Sequence, residues 1–504
     1  MDAALALQRR DALTEAEPLY RAALAIDPGA PDALHMLGTI CYRTGRLDEG
    51  YALLRDALER TGWRIPMIRY NFALLLSAML GSAAAVEAML SGDEELRVRI
   101  EADGRRCAAA LGVRYAGPGA ASADGHSRGG SARVLIVDQA VPAPDRDSGS
   151  SRLVAIMRIL RGLGCALTFV GRGVEFGGPG VDTLRALDIE VLCQPDVWSI
   201  PQFLAARGGE FDLVWVSRHH VAAECVAAIR RCAPQALFVL DTVDLHFLRE
   251  RREAGITGDP EALRRAASTR ERELASIRDA DVTLVVSESE RRRLRGLVPA
   301  ADVRVVSNVL AVGPAGPGFR ERRGAVFVGA FNHRPNVDAI GWYVREVWPY
   351  VLRRMPDART FVIGSDMPES VRNLAGRGID AVGHVPDLEP YLHRCKVSIA
   401  PLRYGAGVKG KISAAQAAGL PVVATSIGVE GMHLECGRDV LVADSAPEFA
   451  DAIVRLHDDE SLWNRLAAGG RENVARHFSA EAARPTLARL IAAAAARRPA
   501  RAAS

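Results

Sequence analysis

Residues Ala400–Thr425, APLRYGAGVKGKISAAQAAGLPVVAT, form the stretch around which the rest of the chain is organised. The apolar run that leads into it, KVSIAPL, predicts a buried strand, and LPVVATS predicts a second one. Between them lie a loop with three glycines and two lysines and a helical segment closed by Gly419, a residue that favours helix ends. This βαβ unit can present backbone amides and ammonium groups to an anion. A tight turn with two solvated lysines is the alternative.

The composition limits the possible classes of protein. A chain of 504 residues exceeds a single core and indicates about three domains. A net charge of +3 is too small to indicate nucleic-acid binding. No apolar run reaches the ~18–20 residues of a membrane span, and we see no signal peptide, so we expect a cytoplasmic protein with at most peripheral membrane contact. The eight cysteines include no CxxC pair, which argues against structural zinc.

Residues 1–112 read as helical and repetitive. Packing positions recur in the register of a 34-residue tetratricopeptide unit, and they include Leu34, Leu37, Gly38, Cys41, Gly50, Leu54 and Ala57. Ile68 and Leu75 continue the register weakly. We therefore predict a short tetratricopeptide-like array that can bind a protein partner, with a generic helical hairpin as the alternative.

Two α/β domains follow a linker over residues 113–131, which is rich in glycine, serine and alanine. Short apolar strands alternate with helices over 132–310 and again over 324–478, and a helix and tail occupy 479–504. The first set of strands ends near Asp138, Ser217, Thr242 and Ser287, which we expect to face one crevice. The predicted fold is α/β, with two tandem Rossmann-like domains preceded by the short all-α region.

From about Arg133 to Arg476 the chain resembles a GT-B-fold retaining glycosyltransferase of family 4, of the bacterial polysaccharide or O-antigen type. Six segments carry the resemblance in the family's order: DQAVPAPDRDSGSSR, LDTVDLHFLRERR, DADVTLVVSESE, FVGAFNHRPNVDAI, PLRYGAGVKGK and GLPVVATSIGVEGM. The resemblance implies a nucleotide-sugar donor, a glycan or lipid-linked acceptor and no obligatory metal or other cofactor.

The resemblance also implies roles for particular residues. Lys411, assisted by Lys409, would stabilise the departing nucleoside diphosphate as its charge grows. Val385 would lie against the base. The remaining donor-binding candidates are Gly149, Ser150, Gly329, Asn332, Arg334, Gly407 and Glu430.

His246 and Asp244 are the candidates on the side of the transferred sugar. They lie in the segment DTVDLHF, directly after a predicted strand, where the family places polar groups beside the sugar. His246 would orient a hydroxyl rather than act as a nucleophile. A purely structural histidine is the alternative.

The chain departs from the family at two positions. Ala406 and Ala414 stand where the family commonly carries two glutamates, the second of which holds the ribose hydroxyls. Glu430 is a candidate to compensate. The departure keeps two other hypotheses open: a catalytically inactive interaction protein, and a transferase that modifies a polypeptide held by the repeats.

Overall fold

The computed structural model describes residues 13–62, 132–171, 179–192, 199–314 and 316–497, together with residues 4, 7, 68, 71, 72 and 75. The chain divides into two compact units, residues 1–130 and 131–504. The predicted linker over 113–131 lies outside the described residues. Within the described part, no helix combines the length and the apolar character needed to cross a membrane.

The described part of the first unit is helical, as predicted. Its helices are α1 (Leu13–Ile26), α2 (Pro31–Arg43) and α3 (Leu47–Arg60). The predicted packing positions Leu34, Leu37 and Leu54 are buried. Gly38 has to be small, because a Cβ atom there would lie 2.7 Å from Leu54 Cγ. Close approach of α2 and α3 at this glycine is the physical basis of the repeat pattern.

The second unit begins with a parallel sheet of seven strands in the order β3-β2-β1-β4-β5-β6-β7. The strands are β1 (Arg133–Asp138), β2 (Ala166–Gly171), β3 (Glu190–Leu192), β4 (Leu213–Ser217), β5 (Leu237–Asp241), β6 (Val282–Val285) and β7 (Val303–Val305). The helices are α4 (Ser148–Gly162), α5 (Pro179–Arg185), α6 (Ile200–Arg207), α7 (His219–Cys232), α8 (His246–Thr257), α9 (Pro260–Asp279) and α10 (Glu288–Leu297). Strands β4 and β5 are buried along their whole length, as strands covered on both faces should be.

A second parallel sheet has six strands in the order β10-β9-β8-β11-β12-β13. The strands are β8 (Ala325–Val328), β9 (Thr360–Ile363), β10 (Ile379–Gly383), β11 (Val397–Ala400), β12 (Val422–Ala424) and β13 (Leu441–Val442). The helices are α11 (Arg334–Trp342), α12 (Trp348–Arg354), α13 (Glu369–Arg372), α14 (Glu389–Arg394), α15 (Gly410–Ala417), α16 (Ser426–Val429), α17 (Ala446–Asp458) and α18 (Glu460–His477). Strand β11, the glycine loop, α15 and β12 are the βαβ unit that residues 400–425 predict.

The last helix, α19 (Ala480–Ala496), returns to the first sheet. Its buried side chains Leu487 and Leu490 share a hydrophobic core with Val134 of β1 and Leu153 of α4. The end of the chain therefore ties the second α/β domain to the first. The predicted fold class, two tandem Rossmann-like domains after an all-α region, is confirmed.

Candidate active site

A cleft of about 630 Å³ opens where the carboxyl ends of the two sheets face each other. Ligands of open α/β sheets bind at such edges, and the volume suits a small-molecule ligand. Nine of the residues singled out in the sequence line it: Gly149, Asp244, His246, Gly329, Asn332, Val385, Gly407, Lys409 and Lys411. Ala406 and Ala414, which replace the expected glutamates, line it as well.

Two lysines, Lys409 buried and Lys411 half-buried, mark the second domain's wall of this cleft. The chain contains three lysines among its 64 lysine and arginine residues, and two of them are Lys409 and Lys411. Lys409 precedes α15 and donates to the Gly407 carbonyl oxygen at 2.6 Å. Lys411, in the first turn, donates to Asn336 Oδ1, and its Nζ lies 4.4 Å from the centre of the Phe327 ring.

Burial makes both ammonium groups costly to keep charged. It lowers the pKa of Lys411 to about 7, with Lys409 adding repulsion. Burial likewise lowers the pKa of Lys409 to about 8, and the nearby Glu430 and Glu290 limit that shift. Within the described part of the chain neither ammonium forms an ion pair with a carboxylate. An anionic ligand would supply the missing negative charge.

The first domain's glycine loop approaches this wall directly. Asp147 caps α4 by accepting a hydrogen bond from the Ser150 amide at 2.8 Å. A Cβ atom on Gly410 would lie 2.4 Å from Ser148 Cβ, so a larger residue at position 410 would force the two loops apart. The N-termini of α4 and α15 therefore meet across the cleft.

The loop after β5 holds the histidine–acid pair. Val243 adopts a φ of +65°, which a β-branched residue rarely takes and which indicates a constrained loop. His246 Nε2 lies 3.0 Å from Asp244 Oδ1, and Arg249 pairs with the other oxygen of the same carboxylate. Burial raises the pKa of Asp244, but Arg249 and His246 outweigh it and the net shift is downward. Asp244 is therefore an anion that orients the imidazole.

Two arginines near this loop, Arg152 buried and Arg218 half-buried, were not predicted from the sequence. Arg152 of α4, 2% exposed, pairs with Asp241 at 2.6 Å and donates to the Val306 carbonyl at 2.8 Å. Arg218 precedes α7 and pairs with Asp138 at the end of β1. Both arginines border the cleft, and carboxylates at the ends of β1 and β5 neutralise them. The available sequence signal was an arginine near the start of a helix together with an aspartate at the end of a strand.

Glu290 and Arg252 of the first domain both form hydrogen bonds across to the second wall. Glu290 at the start of α10 accepts a hydrogen bond from the Gly407 amide at 3.1 Å and one from Leu245 N at 3.3 Å. Arg252 of α8 donates to both oxygens of Glu430, at 2.6 and 2.9 Å. Burial raises the pKa of Glu290 to about 7, with further help from the Asp244 charge. The acidic residues Glu290 and Glu430 thus hold the glycine loop against the first domain.

Three predicted donor residues do not line the cleft. The Glu430 carboxylate forms an ion pair with Arg252, and the Arg334 guanidinium forms one with Glu253 at 3.1 Å. The Ser150 hydroxyl donates to Asp147 Oδ2 at 2.7 Å. Each of these side chains is bonded within the protein.

Two further histidines, His219 and His220, cluster with His246 of the candidate pair. His219 and His220 open α7, and His246 opens α8. One ring nitrogen of each lies within 4.8 Å of those of the other two. Burial lowers the pKa of His219 to about 4, with His246 as the next cause. The dipeptide HH after the strand VWVS was the sequence signal, but it points to a cluster only when β4 and β5 are known to be neighbours.

Two Rossmann-like domains with a cleft between their carboxyl edges define the GT-B class of fold. Residues 322–459 match the family model described as glycosyl transferases group 1, and residues 7–62 match a tetratricopeptide repeat. The match over residues 322–459 confirms the expected enzyme class, a glycosyltransferase.

Known proteins with the same fold cover the second unit. Sucrose-phosphate synthase from Thermosynechococcus elongatus superposes with a TM-score of 0.55 at 17% identity, covering 73% of this chain and 100% of that one. Anabaena Alr3699/HepE in complex with UDP-glucose gives 0.55 at 13% identity, covering 72% of this chain and 99% of that one.

One curated relative matches part of this chain. It is an uncharacterized 44.6 kDa protein in the cps region of Klebsiella pneumoniae, 29% identical over 152 residues. The alignment spans 28% of this chain and 39% of that protein.

Proposed function

We propose that the protein transfers a sugar from a nucleotide-sugar donor to a glycan or lipid-linked acceptor, with retention at the anomeric carbon, as a GT-B enzyme of family 4 of the polysaccharide or O-antigen type. The observation that carries the proposal is the pair of lysines on the second domain's wall, Lys409 buried and Lys411 half-buried, neither of which has a carboxylate partner among the residues that the structure describes. Their lowered pKa values reflect a desolvation cost that a bound diphosphate would offset. Two of the chain's three lysines lie in this loop.

The donor would lie along the second domain. Lys411 and Lys409 would bind the diphosphate, with the amides at the start of α15 and the Gly329 and Asn332 loop beside them. Val385 would contact the base. On the opposite wall Gly149 lets the backbone approach the ligand, since a Cβ there would already lie 3.1 Å from Asp147 Oδ1. All six residues line the cleft: Lys409, Lys411, Gly329, Asn332, Val385 and Gly149.

Catalysis would depend on charge that grows on the leaving diphosphate. The ammonium group of Lys411 would stabilise it in a desolvated site, where a fixed charge acts strongly. His246, oriented by Asp244, would position a sugar hydroxyl from the first domain. With lysines and amides neutralising the diphosphate, no metal would be obligatory, and a chelator would leave transfer nearly intact.

The similarities guide the choice of substrates. HepE was solved with UDP-glucose, so uridine donors are the first to test. The cps-region relative supports a role in surface polysaccharide synthesis. Ala406 and Ala414 leave the ribose hydroxyls without the family's carboxylate, so donors with other bases also belong in the screen.

The test is a thermal-shift screen of the full chain against the diphosphates of uridine, guanosine, thymidine and adenosine and their sugars. A ligand at 100 times its Kd should stabilise the protein by about 2.7 kcal/mol. Donor hydrolysis in the presence and absence of chelator then tests turnover, and the anomeric configuration of the product tests retention. A chain that binds no nucleotide would favour the inactive interaction protein instead.

A further inference from the structure

Three histidines on the first domain's side of the cleft, His219, His220 and His246, support a second inference. Strands β4 and β5 are parallel neighbours, with Ser217 paired to Asp241, so the residues that follow them meet at one sheet edge. His219, His220 and His246 follow these strands. Their ring centroids lie 5.1 to 6.0 Å apart, and one nitrogen of each ring lies within 4.8 Å of the other two.

The His219 side chain is not satisfied by the protein. The residue is 6% exposed, and its buried Nδ1 has no hydrogen-bond partner. Buried polar atoms are nearly always bonded to protein, water or an ion, so this orphan nitrogen requires a partner. The other two imidazoles of the cluster are its neighbours. Packing alone would bring the rings together but would leave Nδ1 unpaired.

The His246 ring is oriented in the manner of a metal ligand. Its Nε2 lies 3.0 Å from Asp244 Oδ1, and Arg249 fixes that carboxylate. Histidine ligands commonly bond a carboxylate through one ring nitrogen and the metal through the other, which sets the direction of the free lone pair. On the His220 ring, Nε2 lies 3.1 Å from Gln139 Oε1.

We propose that His219, His220 and His246 form a binding site for Zn²⁺ or a similar late divalent transition metal. Three imidazole donors favour zinc, cobalt, nickel or copper over magnesium and calcium, which prefer oxygen ligands. Tetrahedral Zn²⁺ with ordinary Zn–N bonds places its nitrogens about 3.4 Å apart, so the rings would close slightly on the ion. His220 and His246 line the cleft, so the fourth position would face the ligand space.

The metal would act as an inhibitor of transfer. Bound Zn²⁺ occupies the His246 nitrogen that would otherwise act on the sugar side, while the diphosphate site on the second domain stays intact. This consequence rests on the proposed function, but the metal site itself does not. Added Zn²⁺ should therefore slow transfer without weakening the binding of a bare nucleoside diphosphate.

The binding test uses the full chain, stripped with chelator and titrated with Co²⁺. We expect a saturable site with the intense visible bands of tetrahedral cobalt, and Zn²⁺ should displace the Co²⁺. His219→Ala and His220→Ala should each weaken Co²⁺ binding by at least about tenfold. His384→Ala removes another imidazole that lines the same cleft and should leave Co²⁺ binding unchanged.

The possible results test the metal site and the proposed transfer activity separately. The absence of tetrahedral bands, or Co²⁺ binding that neither His219→Ala nor His220→Ala weakens, would overturn the site. His220 is less buried than His219, so His220→Ala keeps the test decisive if His219→Ala fails to fold. Tetrahedral Co²⁺ binding by a chain without transfer activity would support the site and count against the proposed function. Transfer that is insensitive to Zn²⁺ at a saturated site would overturn the inhibitory role.

Discussion

The two walls of the cleft handle charge in opposite ways. On the first domain three arginines that line the cleft have carboxylate partners: Arg152 with Asp241, Arg218 with Asp138 and Arg249 with Asp244. On the second domain the buried Lys409 donates to a backbone carbonyl and the half-buried Lys411 to a side-chain amide oxygen, and neither has a carboxylate partner within the described ranges.

This difference separates positioning from binding. A desolvated charge without a counter-ion is expensive, and a bound anion can supply the opposite charge. A buried pair is neutral overall and instead fixes the geometry of the loop that carries it. We therefore expect substitutions on the first wall to disturb stability and sugar positioning, and substitutions on the second to disturb diphosphate binding and departure.

The largest effect should come from breaking a pair on the first wall. Arg152→Met leaves the Asp241 carboxylate buried and unpaired, which should lower the free energy of unfolding by about 3–5 kcal/mol. Urea unfolding of the full chain, followed by the fluorescence of its six tryptophans, among them the buried Trp215 on β4, measures it. Arg359→Met breaks an exposed pair with Asp380 and should cost only about 0–1 kcal/mol. Equal costs for the two variants would contradict the positioning role.

On the second wall, Lys411→Ala should lower turnover by about 10²–10³ and weaken donor binding, because a preorganised charge is lost. Initial rates at saturating donor give turnover, and titration gives affinity. Arg403→Ala is the matched control, since Arg403 lies in the same segment but pairs with Asp338. Unchanged turnover in Lys411→Ala would remove the leaving-group role.

His246→Ala should reduce transfer by up to about a hundredfold, because a mispositioned reacting group costs that much. Binding of the bare nucleoside diphosphate should stay near wild type. If His246 and Lys411 serve one step, the double variant should lose less than the product of the single losses. A loss of diphosphate affinity in His246→Ala would place the histidine on the wrong side of the donor.

The smallest effect is a pH dependence of diphosphate affinity. In the free protein the pKa of Lys411 is about 7. A bound anion favours the charged ammonium and raises that pKa, so affinity should be full below pH 7. Above pH 7 it should fall by up to about tenfold per pH unit, because binding must then take up a proton. Calorimetric titrations from pH 6.5 to 8.5 measure the slope. Lys411→Arg stays charged and should flatten it, and an equal slope in both proteins would assign the proton elsewhere.

The sequence by itself determined the order of elements. The apolar run KVSIAPL became β11, and the lysine loop leads into α15, because strand patterning and glycine turns act over a few residues. The same reasoning located His246, Asp244, Lys409 and Lys411 at strand ends, and all four line one cleft.

Only the tertiary structure decided which charges meet. Arg152 pairs with Asp241, 89 residues away, and the cations Arg252 and Arg334 engage Glu430 and Glu253 rather than the cleft. The order of strands brings His219 beside His246, and α19 returns to the first sheet. Local patterns set elements because backbone preferences are short-ranged. Partners of buried charges depend on which sheet edges adjoin and on which carboxylate each cation reaches, and both are properties of the folded chain.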